Sequence, residues 1–125
     1  MENVKIDSMK VNSVYIKYMS RIMSIISKGK DYFSKKSILE KLYLLNSITF
    51  DLSMCGCDIP KVYTDFGDIA SNIDIVKVNQ LHEKYSTLAM NLLLESEYDM
   101  TKEDEIKLNL LNEFVIDLVD CGCEN

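Results

Sequence analysis

Several residue types that proteins ordinarily use freely are scarce in this 125-residue chain. It has one proline, four glycines and no tryptophan, which excludes collagen-like and low-complexity readings. Its single histidine, His82, excludes multi-histidine metal sites, including the Glu-x-x-His pairs of di-iron bundles. No glycine-rich phosphate loop, His-Glu-x-x-His or nucleophile-elbow serine occurs, so the commonest catalytic signatures are missing. The longest apolar runs are a few residues, such as Leu92-Leu93-Leu94, far short of the roughly 20 that cross a bilayer. The first seven residues alternate charge with single apolar side chains and form no signal-peptide core, which predicts a cytoplasmic protein without a membrane span.

What is present fits a globular domain. Hydrophobic residues are 47% and charged residues 27%, in a chain long enough to bury roughly two-thirds of its unfolded surface. The net charge of −6 makes nucleic acid an unlikely partner, since phosphate affinity needs a basic face. That average hides a split: residues 1–50 hold nine Lys/Arg against four Asp/Glu, and residues 51–125 hold five against sixteen. Thirteen lysines to one arginine, with two alanines, point to AT-rich coding DNA, as in a low-GC bacterium, its phage or an AT-rich virus.

The chain carries an internal repeat. Lys41 to Cys57 aligns without gaps on Lys107 to Cys123, with ten of seventeen positions identical. Upstream, Ile6-Asp7 matches Ile73-Asp74, Lys10-Val11-Asn12 matches Lys77-Val78-Asn79, Lys17-Tyr18 matches Lys84-Tyr85, and Met23 matches Met90. We read residues 5–58 and 72–124 as two copies of one unit within a single domain spanning 1–125, joined by a 59–71 linker. In each copy a stripe at helical spacing (Val11, Val14, Tyr18, Ile22, Ile25; Val78, Leu81, Tyr85, Leu88, Leu92) precedes a second (Leu42, Leu45, Ile48, Leu52, Cys55; Leu108, Leu111, Phe114, Leu118, Cys121). This predicts an all-α protein, an antiparallel four-helix bundle of two tandem hairpins with helices near 8–28, 35–55, 74–97 and 102–121. The second and fourth helices are expected on a diagonal, more than ~10 Å apart. Ser37 and Glu40 have capping-box spacing, Thr101 precedes three acids, Gly29, Gly56 and Gly122 suit helix ends, and Pro60 can open a short linker helix through Val62, Phe66 and Ile69. His82 lies beside its stripe and is expected at the rim.

Chemistry concentrates in two places. All four cysteines lie in two Cys-Gly-Cys turns, Cys55-Gly56-Cys57 and Cys121-Gly122-Cys123, with Asp51 and Asp117 one turn earlier, where the helix dipole disfavours a carboxylate. Capping and packing account for such turns, but Ala, Val or Leu would serve equally. Zinc or another soft metal on the four thiols, with the aspartates behind them, is therefore one alternative, and redox-active thiols are another, although one intervening residue is weak zinc spacing. The second place is the connection inside each copy, basic in the first (Lys28, Lys30, Lys35, Lys36) and acidic in the second (Glu95, Glu97, Asp99, Glu103, Asp104, Glu105). The two loops are expected to neutralise each other within one molecule, or to form a polarised recognition surface. The expectation is a non-enzymatic cytoplasmic interaction protein without cofactor, a bacterial, phage or viral regulator that binds another protein or a second copy of itself. The alternative is a small metal-binding or thiol redox protein.

Overall fold

The computed structural model describes residues 6–96 and 99–124. These are all-helical: α1 (Ser8–Ser27), α2 (Lys30–Phe33), α3 (Lys36–Met54), α4 (Phe66–Ala70), α5 (Ile75–Glu95) and α6 (Lys102–Asp120). The four long helices start and stop within two residues of the expected ranges, and the expected end at residue 97 lies outside the described residues.

Local chemistry sets the helix starts. Asp7 and Asp74 cap α1 and α5 in the same way, each carboxylate accepting two backbone N–H bonds at 3.1 and 3.2 Å. Thr101 caps α6, its hydroxyl accepting from the Asp104 N–H at 3.1 Å, with three acids in the first turn. Ser37 does not cap α3: the unexpected turn α2 delivers an extended Lys35, the helix begins at Lys36, and Ser37 already lies inside it. Nor does the linker helix begin at Pro60. A reciprocal box between Asp65 and Asp68 starts α4 at Phe66, which leaves Val62 outside it, while Phe66 and Ile69 lie within it and Ile69 is buried.

The ends of α3 and α6 share one solution. Gly56 and Gly122 take φ of 108° and 112°. The following N–H groups of Cys57 and Cys123 reach back to Leu52 and Leu118 carbonyls at 3.2 and 3.1 Å, closing a Schellman turn at each end.

The helices then pack in a crossed order. α1 lies on α3, α5 lies on α6, α3 lies directly on α6, and α4 covers part of α1. The Asp7 N–H donates to the Cys121 carbonyl at 2.7 Å, and the Asp74 N–H donates to the Cys55 carbonyl at 2.8 Å. The Asp58 N–H also reaches the Asn12 side chain at 2.9 Å. One pole therefore holds the starts of α1 and α5 and the ends of α3 and α6, so α3 and α6 run parallel. They are neighbours, not diagonal partners as expected. Leu45, Ile48 and Leu52 of α3 and Phe114 and Leu118 of α6 face no water, as do Val11 and Tyr18 of α1 and Val78 and Tyr85 of α5, so the four stripes share one core. Phe114 is the keystone: Tyr18 and Tyr85 meet its ring edge-on at 5.5 and 5.0 Å between centroids.

Candidate functional site

At the first pole all four thiols are buried and unbridged. Cys55 and Cys121 complete the apolar stripes of their helices, and Cys57 and Cys123 fold back behind the glycines into the same core. Burial, with smaller contributions from neighbouring acids and thiols, pushes Cys55 and Cys123 to about 11 and Cys57 and Cys121 to about 12. Cys57 and Cys121 belong to one buried core cluster. Among the described residues, however, no three side chains of His, Cys, Asp or Glu are arranged to hold a metal ion. The environment favours protonated thiols, the opposite of what a redox nucleophile needs.

Asp51 and Asp117 have another engagement. The Asp117 carboxylate accepts from the Tyr18 hydroxyl at 2.7 Å and from Lys17 at 2.8 Å. The Asp51 carboxylate accepts from Tyr85 at 2.6 Å and Lys84 at 2.8 Å. Asp117 of α6 thus clasps α1 and Asp51 of α3 clasps α5, and the lysine charge and phenol bond offset the unfavourable helix dipole. Burial, then the bond to the aspartate, raises both tyrosine pKa values. The clasps differ in their surroundings. Arg21 and Lys17 converge on Glu113 in one, and Arg21 above all holds that carboxyl down at about 2. Ser47, which occupies the repeat position matching Glu113, bonds the Tyr85 hydroxyl at 3.0 Å in the other.

Comparison with protein-family models, with curated proteins and with solved structures returns no match, so the chain's own residues carry the functional reading. Among the described residues no helix is long and apolar enough to cross a membrane.

The opposite pole carries the charged connections. Lys28, Lys30, Lys35 and Lys36 are all exposed, around the corner made by α2. Lys28 and Lys35 stand over the Tyr32 ring, 4.7 and 5.7 Å from its centroid. The Tyr32 and Phe33 side chains pack against the core, which fixes the corner in place. The expected neutralisation by the acidic loop is not seen, because the ion pairs among the described residues include none of these four lysines. The physical reason is the helix order: the basic corner follows α1 and the acidic connection follows α5, and α3 and α6 stand between those helices. Asp104 instead accepts from Ser96 at 3.2 Å, and Glu97 lies outside the described residues. Sequence reasoning missed two things here. His82, expected at the rim, is buried, its Nε2 without a partner among the described residues, and the interlocked Lys-Tyr-Asp clasps were legible only as retained residues.

Proposed function

We propose that the chain is a non-enzymatic helical interaction protein: two tandem helical hairpins, residues 5–58 and 72–124, joined into one four-helix bundle that binds a protein partner through the pole opposite the cysteines. Support for the duplication is the ten-in-seventeen identity, the matched Asp7 and Asp74 caps, the paired Schellman turns and the reciprocal clasps. The observation that carries the binding reading is the α2 corner, where four exposed lysines crowd one turn and form no ion pair among the described residues, whereas the other lysines without such a pair, Lys10, Lys41, Lys61, Lys77 and Lys102, are scattered along the chain. Unpaired charge of one sign on a fixed scaffold steers and selects an acidic partner. The reading places the protein in a cytoplasm, as a regulator from a bacterium, a phage or a virus. The thiols support this role structurally, since burial holds them protonated. A pull-down from such a cytoplasm with the chain and its K28E/K30E/K35E/K36E variant tests it: the recovered partner should be lost with the variant at unchanged helicity. Recovery of the same proteins by both would overturn the reading, and a zinc ion retained in the native mass spectrum would move it to the cysteine pole.

A further inference from the structure

We infer that the acidic partner of the α2 corner is a second copy of this chain, docked pole to pole about a two-fold axis. The inference rests on the binding reading above and gives it an occupant. Both charged corners sit at the same pole, because α1 and α5 both start at the cysteine end and run away from it. They sit on opposite sides of that pole, separated by α3 and α6. Rotating a second molecule by a half-turn about an axis perpendicular to the line joining the corners brings its acidic corner over the first molecule's basic one. The same rotation brings its basic corner over the first molecule's acidic one. Two complementary contacts form at once, and the interface closes on itself as an isologous dimer. A half-turn about the line itself sets like charge on like, so the charge pattern also selects the orientation.

Each corner has an apolar flank to add burial. Met23 and Ile26 end the outer face of α1, Met90 and Leu93 occupy the matching positions of α5, and all four are exposed. Retention of exposed apolar residues at equivalent positions of both units fits a surface that is covered twice in one assembly. Glu95, Asp99 and Glu105 are exposed on the acidic side, with Glu103 half-buried beside them.

The test uses two charge variants of the whole chain, K28E/K30E/K35E/K36E and E95K/D99K/E103K/E105K, and sedimentation equilibrium. The unaltered chain should dimerise at ~0.01 M salt, where the screening length is about 30 Å, and weaken at least tenfold toward 1 M, where it is about 3 Å. Each variant alone, bearing two like-charged corners, should be monomeric. Mixed in equal amounts, they should form a heterodimer, and a chain carrying both sets of changes should dimerise again. Circular dichroism establishes that each variant is helical before it is weighed. A monomer at every salt concentration, a dimer indifferent to both variants, or a mixture that stays monomeric would overturn the inference. If the chain is monomeric while the lysine variant still loses a captured cytoplasmic protein, the partner is that different protein and the binding reading survives. If neither assay responds to the lysines, both fall together.

Discussion

Asp51 and Asp117 show how a single residue can be misread from its neighbours in sequence and explained by its neighbours in space. Near a helix C-terminus a carboxylate is disfavoured by about 0.3–1 kcal/mol, yet each aspartate gains a phenol and an ammonium from another helix. Asp117→Asn and Asp51→Asn should each destabilise the fold by about 1–3 kcal/mol in urea unfolding, because charged hydrogen bonds to fully buried tyrosines are lost. Tyr18→Phe combined with Asp117→Asn should cost less than the sum of the two, the mark of a shared bond. Gly56 makes a second residue-scale case. A Cβ there would meet the Asn72 carbonyl oxygen at 2.6 Å, in a backbone already at φ +108°, whereas a Cβ on Gly29 meets open space at φ +96°. At ψ 161° Gly29 lies in an extended positive-φ region that essentially only glycine occupies, so Gly29→Ala should cost about 1–3 kcal/mol of backbone strain alone, and Gly56→Ala measurably more.

Between elements, the α1–α6 contact carries a pH signature. Arg21, then Lys17, pull the Glu113 carboxyl from 4.5 to about 2, so the native state binds fewer protons than the unfolded chain between those values. The stability from this clamp is complete above about pH 4.5 and is lost as pH falls toward 2. Urea midpoints followed from pH 6 to pH 2 should drop through that window, and Glu113→Gln should flatten part of the drop. The α3 and α6 ends carry a reactivity signature. With thiols at about 11 to 12, the native chain at pH 8 should react with a thiol reagent at least about a hundredfold more slowly than free cysteine, and urea should release all four groups.

Across the whole molecule the first and second halves of the chain are interlocked rather than side by side. The start of α1 is tied to the end of α6, the start of α5 to the end of α3, and Phe114 of α6 is clamped by Tyr18 of α1 and Tyr85 of α5. Each half keeps its local caps alone, but not the Asp7–Cys121 or Asp74–Cys55 backbone bond, the clasp or the aromatic cluster. Unfolding should accordingly be one transition, with helix content by circular dichroism and tyrosine fluorescence coincident in urea, and residues 1–58 produced alone should lack stable helix. Separate transitions for residues 1–58 and the rest of the chain would show that the reciprocal contacts do not couple them.

The helices themselves were legible in the residue order, because a period of three and four, an acid or threonine at the start and a glycine at the end are local instructions. So were the cysteine turns as caps and the aspartates as retained residues. Helix order was not: which pair of parallel helices meets is a property of the packed assembly, since the stripes of α3 and α6 look alike in sequence to those of α1 and α5 and all four reach full burial. The start of α3 also depended on its surroundings, because α2 and an extended Lys35 displaced the Ser37 cap. The same packing decided the candidate site. Opposite charges in matching loops read as mutual neutralisation along the chain, and only the placement of α3 and α6 between α1 and α5 keeps them apart and leaves the lysines of the α2 corner facing outward.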